Sequence, residues 1–220
     1  MVTPPFELFN YYAEEKDEKC IIYFLSEGAN SERLFYEYLF YSRINGFIRP
    51  DGVLLKEIRK TEFDQGLSDG LALVKKAIEW CNDSKNNFDK TKDAIVITFD
   101  LDRFSKEDID ELVRIKEPYI LYAFSNPKFE LVQLLSLMDD LSKLEEEYYD
   151  LGTPNNILEN AFSSLTHTNS KTRKSGNVVA SNYNQLMKHR AYDESDISKA
   201  KDKFCTNVLN VLDIIQKWNK

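Results

Sequence analysis

Short runs of consecutive apolar residues dominate the hydrophobic pattern of the chain. Residues 20–26 and 94–99 are almost continuously apolar and rich in β-branched or aromatic side chains. Runs of this length and composition are typical of strands that are buried on both faces of a parallel sheet. The runs at 53–58 and 119–125 share this character. The sequence therefore predicts four strands.

Segments with apolar residues at helical spacing separate or follow these runs. The spacing predicts helices over about 31–42, 67–81, 106–115 and 128–137. Strands that alternate with helices in this way indicate βαβ units and a mostly parallel sheet. The predicted fold class is therefore α/β, with a four-stranded, Rossmann-like sheet flanked by helices.

The pattern changes after residue 138, where helices are predicted without further strands. These helices are expected at 141–149, 153–163, 182–189 and 195–218. The stretch 166–180 is polar and has no periodicity, so we expect a mobile loop there. The chain is accordingly divided into an α/β core at 1–138 and a helical C-terminal extension at 139–220 that packs on the core.

Amino-acid composition and cysteine spacing indicate a globular protein of a reducing compartment. Hydrophobic residues make up 42% of the chain, which is typical of a globular domain. Cys20, Cys81 and Cys205 lie far apart and show neither disulfide nor zinc spacing, as expected in a reducing compartment. The sequence also lacks a signal-peptide pattern and any apolar run long enough to span a membrane. We therefore expect a cytoplasmic protein that does not contact the membrane.

The charge distribution is uneven. The net charge of −8 argues against nonspecific wrapping of nucleic acid, because phosphate binding depends on clustered Lys and Arg. Residues 170–190, however, contain no Asp or Glu. The candidate nucleic-acid contacts in this segment are Lys171, Arg173, Lys174, Lys188 and Arg190. A solvated loop explains the same pattern equally well.

Carboxylates follow two of the predicted strands. Asp100 and Asp102 come after the third strand, and Glu27 follows the first. Because the carboxyl ends of parallel strands meet at one sheet edge, these three acids are candidate ligands for Mg²⁺ or Mn²⁺. Glu130, after the fourth strand, is a candidate further ligand, whereas Glu32 is expected to be a capping partner. Turn formation and a favourable helix N-terminus are the structural alternatives for these acids.

Three ordered motifs carry a family resemblance. They are Leu25-Ser26-Glu27-Gly28-x-x-Ser31-Glu32, Phe99-Asp100-Leu101-Asp102 and Phe124-Ser125-Asn126-Pro127-Lys128-Phe129-Glu130-Leu131. Together, over about residues 20–137, they resemble the RloB-like family, a branch of the Toprim superfamily. The chain departs from that family at Ser31, where Thr is more frequent, and at Gln133, where an aromatic residue is more usual.

The resemblance implies a Toprim fold and phosphoryl transfer on nucleic acid, with a metal held by Glu27, Asp100 and Asp102. RloB-like proteins are associated with anti-phage abortive infection, commonly beside an ATPase of the ABC or AAA kind. We therefore expect a metal-dependent nuclease of DNA or RNA that acts as the effector beside such an ATPase. The alternative is a non-catalytic Toprim-like module that binds the ATPase or a phage protein. A phosphatase with an Asp-x-Asp nucleophile is disfavoured, because Arg103 and Phe104 follow where a Thr is expected.

Overall fold

The protein is described by a computed structural model over residues 20–28, 31–41, 47, 50, 52–58, 70–152 and 156–218. Its strands are β1 (Cys20–Ser26), β2 (Val53–Glu57), β3 (Ala94–Asp100), β4 (Ile120–Asn126) and β5 (Cys205–Thr206). Its α-helices are α1 (Ser31–Tyr41), α2 (Gly70–Asn82), α3 (Lys106–Arg114), α4 (Glu130–Leu135), α5 (Ser142–Asp150), α6 (Ile157–Thr166), α7 (Arg173–Ser181), α8 (Tyr183–Leu186) and α9 (Val208–Gln216). Within these ranges, no helix has the length and apolar character needed to cross a bilayer.

The strands form one sheet in the order β2–β1–β3–β4–β5. The first four are parallel to their neighbours, while β5 runs antiparallel to β4. The predicted α/β class, with a mostly parallel sheet flanked by helices, is confirmed and is consistent with a Rossmann-like fold. The fifth strand was not predicted, because a two-residue strand has no hydrophobic period of its own.

Alternation along the central strands creates a core on each face of the sheet. In β1, Ile22 and Phe24 point to one core, whereas Tyr23 and Leu25 point to the other. Side chains of β3 alternate in the same way, which explains why both strands are apolar at consecutive positions. The first core is completed by α1 and by α4 to α9, and the second by α2 and α3. The C-terminal helices therefore pack on the same core as α1.

Helix α7 corrects the prediction of a mobile loop at 166–180. The helix buries Val179 and Ala180 and packs against α1. A Cβ atom at Gly176 would lie only 2.8 Å from Cβ of Leu34, so glycine permits this close approach. The helix is held by tertiary contacts, and its polar sequence carried no periodic signal.

The predicted helix over 195–218 is also wrong. A 3₁₀ turn at Ile197–Lys199, strand β5 and helix α9 occupy this segment. In β5, Cys205 and Thr206 pair with the end of β4, which covers part of an otherwise open sheet edge. The helix predicted at 182–189 is shorter in the structure, where it is α8. The predicted helices 67–81 and 153–163 start, and the predicted helix 31–42 ends, at residues outside the described ranges.

Candidate acidic site at the strand ends

The ends of β1 and β3 bring two predicted acids side by side. The Glu27 N–H donates a 2.8 Å hydrogen bond to the carbonyl of Thr98, which continues the β1–β3 pairing beyond β1. The Asp100 N–H in turn donates to Oε2 of Glu27 at 3.2 Å. Because β1 and β3 are parallel neighbours, Glu27 and Asp100 lie at the same edge of the sheet.

The Asp-x-Asp turn is held by the connection from β4 to α4. Oδ1 of Asp100 accepts a hydrogen bond of 2.8 Å from the backbone N–H of Phe129. The Leu101 N–H donates to the carbonyl of Ser125 at 2.9 Å. Oδ2 of Asp102 lies 3.9 Å from Nζ of Lys128. The acidic turn is therefore anchored to the next strand and the helix that follows it.

These strand ends open into a pocket of about 350 Å³, here called the acidic pocket. Its lining residues are Glu27, Gly28, Ser31, Glu32, Asp100, Asp102, Arg103, Lys128, Glu130, Glu159 and Lys171. Six carboxylates therefore face three basic side chains. All four predicted metal ligands line this one pocket.

Glu32 is a site residue that the sequence assigned to a capping role. Its side chain is buried in the acidic pocket, where the Ser31 hydroxyl lies 3.2 Å from Oε2 and donates to it. A Cβ atom at position 28 would collide with the Glu32 carboxylate, so Gly28 makes room for this group. The available signal was an acid in the first turn of the helix that follows Glu27.

Glu130 joins the core motifs to the C-terminal third. Its buried carboxylate accepts a 3.1 Å hydrogen bond from the hydroxyl of Ser170. The carbonyl of Ser170 accepts a 3.0 Å hydrogen bond from Nε2 of Gln133, which is fully buried. Gln133 therefore fixes the loop that reaches the acidic pocket.

Among the candidate nucleic-acid contacts whose side chains the structure describes, Lys171 lines the acidic pocket. Its Nζ lies 3.1 Å from Oε1 of Glu159 on α6, and both residues line the pocket. Arg173 and Lys174 follow at the start of α7, and their side chains lie outside the described part of the structure.

The other two basic candidates do not line the acidic pocket. Arg190 forms ion pairs with Asp193 at 3.2 Å and with Asp213 at 2.9 Å. Nζ of Lys188 donates to Oε1 of Gln185 at 3.0 Å. The structure thus does not bring Lys188 and Arg190 to the strand-end acids.

Burial and mutual repulsion perturb the carboxyl groups of the pocket. Burial raises the pKa of Glu32 from 4.5 to about 7, with further upward contributions from the charges of Glu130 and Glu27. Burial, followed by the charges of Glu32 and Glu130, raises the pKa of Asp100 well above its ordinary value. Burial also raises the pKa of Glu130. Carboxylates that share one pocket repel one another when they are ionised, and a bound proton or cation relieves this repulsion.

The donor set suits a hard divalent cation. Mg²⁺ and Mn²⁺ prefer carboxylate oxygen, and the described residues that line the acidic pocket include carboxylates but neither Cys nor His. Over the described ranges, no three His, Cys, Asp or Glu side chains are already arranged as a metal-binding group. A divalent cation would require these carboxylates to approach one another, and its charge would offset their mutual repulsion.

Comparisons with known proteins do not assign this chain to a family. The chain matches no protein-family model, no curated protein and no solved structure. The RloB-like resemblance therefore stands on its three motifs.

Proposed function

We propose that this protein is a metal-dependent nuclease of the Toprim kind, which hydrolyses phosphodiesters of DNA or RNA. The observation that carries the proposal is the convergence of Glu27, Asp100 and Asp102 on one pocket with Glu32 and Glu130. Raised pKa values of buried acids in a pocket are frequent at functional sites, because folding tolerates such repulsion where a ligand relieves it.

Three carboxylates of the pocket would bind the metal, and two others lie near them. Glu27, Asp100 and Asp102 would hold Mg²⁺ or Mn²⁺ from rigid strand ends. Such a cation supplies Lewis acidity toward a phosphoryl oxygen and lowers the pKa of bound water. Glu32 and Glu130 add buried negative charge that favours cation binding, and Ser170 keeps Glu130 in place.

The basic side chains of the acidic pocket suit the phosphate backbone. Lys128 lies beside Asp102, and Arg103 follows that acid directly in the turn. Each can offset the negative charge of a bound phosphodiester while the carboxylates hold the cation. These basic side chains would allow a protein with a net negative charge to bind nucleic acid at the acidic pocket.

The biological setting of the proposal comes from the RloB-like resemblance. We propose an effector subunit of a cytoplasmic anti-phage abortive-infection system, with an ABC- or AAA-type ATPase as its partner. The partner would supply the trigger, and this chain would supply the hydrolytic site.

The test is a cleavage assay on the full chain, alone and co-purified with an ATPase encoded beside it. Plasmid DNA and total cellular RNA are incubated with Mg²⁺ or Mn²⁺. We expect Glu27→Gln and Asp100→Asn to reduce cleavage to background and to abolish toxicity in cells. Glu79→Gln is the matched control, because Glu79 is exposed and pairs with Lys76 outside the acidic pocket.

Normal cleavage by the two pocket variants would refute the proposed site. If the wild-type protein cleaves neither substrate with its partner and metal present, the nuclease proposal fails. The non-catalytic binding module is then the better account, and it is supported directly if the chain still forms a stable complex with the ATPase.

A further inference from the structure

Two residues that line the acidic pocket form an ion pair with each other. Nζ of Lys171 lies 3.1 Å from Oε1 of Glu159, with the two side chains 63% and 27% exposed. Glu159 belongs to α6, and Lys171 lies in the loop before α7. The pair therefore links two segments of the C-terminal third at the pocket that the strand-end acids also line.

Hydrogen bonds of the buried residue Ser170 hold the loop that carries Lys171. Ser170 is buried, its hydroxyl donates to Glu130, and its carbonyl accepts hydrogen bonds from Gln133 and Ser175. The Lys171 N–H donates to Oδ1 of Asn169 at 2.8 Å. An exposed lysine thus extends from a loop whose backbone is anchored to the buried end of α4. Preorganisation of this kind lowers the entropy lost when the lysine binds a ligand.

The stability of the fold does not account for this ion pair. Exposed Lys–Glu pairs contribute little net stability, because solvent screens them and both side chains lose freedom. The hydrogen bond to Glu159 raises the pKa of Lys171, with smaller upward contributions from the charges of Glu159, Glu130 and Asp100. Its ammonium group is therefore charged and lines the acidic pocket, and an ion pair between an exposed Lys171 and a half-buried Glu159 has to open before Lys171 can bind another anion.

We propose that Glu159 occupies, within the molecule, the position of a substrate phosphate on Lys171. A phosphodiester of the nucleic acid displaces Glu159 and takes Lys171 as its contact beside the acidic pocket. Glu159 then acts as a competing anion that weakens binding, and Lys171 is a positioning residue for the substrate. This inference rests on the proposed nuclease function and adds a substrate contact from the C-terminal third.

The test is a double-mutant cycle on the full chain. Binding of a fluorescein-labelled phosphorothioate DNA, which resists hydrolysis, is measured by anisotropy in Mg²⁺ and repeated with a phosphorothioate RNA of the same sequence. We expect Glu159→Gln to tighten binding and Lys171→Ala to weaken it, each by about fivefold, as for one partly screened charge contact. In the Lys171→Ala background, Glu159→Gln should have no further effect.

A second ion pair provides the matched control. Lys75 and Glu111 form an exposed pair of 2.7 Å between α2 and α3, and neither residue lines the acidic pocket. Lys75→Ala and Glu111→Gln change the net charge by the same amounts and should leave binding unchanged. A control shift equal to that of the pocket variants would show a general charge effect and overturn the proposal.

Two further outcomes separate this inference from the proposed function. If Glu159→Gln binds like the wild type, or tightens binding equally with Ala at position 171, Glu159 is not a competitor and the inference is wrong. The nuclease proposal survives that result as long as Asp100→Asn still abolishes cleavage. If the wild-type chain binds neither probe, the inference is wrong, whereas the nuclease proposal is decided by cleavage in the presence of the ATPase and metal.

Discussion

Oδ1 of Asp100 accepts a 2.8 Å hydrogen bond from the backbone N–H of Phe129, which ties the end of β3 to the start of α4. Loss of solvent around the same carboxyl group, and then the charges of neighbouring acids, raise its pKa. Asp100 therefore has two roles. One of its carboxyl oxygens accepts a structural hydrogen bond, and its negative charge, when ionised, repels the neighbouring acids. The two roles separate on substitution, because asparagine keeps the acceptor and removes the charge.

Asp100→Asn should stabilise the metal-free protein, and Asp100→Ala should do so less or not at all. The first removes like-charge repulsion and keeps the bond from Phe129, with an expected gain of about 1–2 kcal/mol in the free energy of unfolding above neutral pH. Urea unfolding in a chelating buffer measures this gain. A less stable Asp100→Asn protein would show that the carboxylate charge is compensated in the fold.

The stability of the metal-free protein should fall as the pH rises from about 4.5 to about 7. In this window the pKa of Glu32 in the folded state exceeds its ordinary value, so the folded chain binds more protons than the unfolded chain. The loss should be on the order of 3 kcal/mol, shared with the neighbouring acids. Urea unfolding across this range is the measurement.

Glu32→Gln provides the control for that profile, since it cannot ionise. This variant should show a flatter pH dependence and higher stability at the upper end of the range. An unchanged slope would mean that Glu32 is not the group that titrates.

Lys201→Met should weaken Mn²⁺ binding by about tenfold, the effect typical of residues that orient metal ligands. Nζ of Lys201 donates a 2.9 Å hydrogen bond to the carbonyl of Leu101, which lies between the two acids of the Asp-x-Asp turn. Calorimetric titration with Mn²⁺ gives the affinity. Lys203→Met is the matched control, because Lys203 instead pairs with Glu194 at 2.7 Å. Equal affinities for the two variants would exclude a positioning role for Lys201.

Asn126→Ala should destabilise the fold by about 1–3 kcal/mol, the cost of leaving buried carbonyls unsatisfied. The buried Asn126 amide lies within 2.9 Å of the carbonyls of Ala200, Lys201 and Lys203, and so attaches β4 to the C-terminal loop. Asn184→Ala, at an exposed position on α8, should be neutral within error. Comparable urea midpoints for both variants would contradict this role of Asn126.

The parts of the fold with a strong local signal were predictable. The central strands β1 and β3 are buried on both faces, so almost every residue is apolar and the pattern is visible without tertiary information. The placement of Glu27 and Asp100 at one edge follows from parallel pairing, which the alternation of strands and helices already indicated. The acids that end a buried strand are recognisable because the change in polarity there is abrupt.

Local patterns were insufficient where a partner distant in the sequence decides the structure. The polar segment of α7 becomes helical because Gly176 lets it pack closely on Leu34 of α1. Similarly, Cys205 and Thr206 lie in a segment with a helix-like pattern but form a strand. They pair with β4, because an open sheet edge offers unpaired backbone groups.

The acidic pocket shows the same division. Local pattern marked Glu27, Asp100, Asp102 and Glu130, because each lies at or just beyond the end of a recognisable strand. Glu159 and Lys171 could not be found in this way as members of the pocket, because only the packing of the C-terminal helices on the α1 side of the sheet brings them there. The position of the strand-end acids follows from residues nearby in the sequence, which form the strands. The position of Glu159 and Lys171 depends instead on the burial of apolar surfaces between elements that are distant in the sequence.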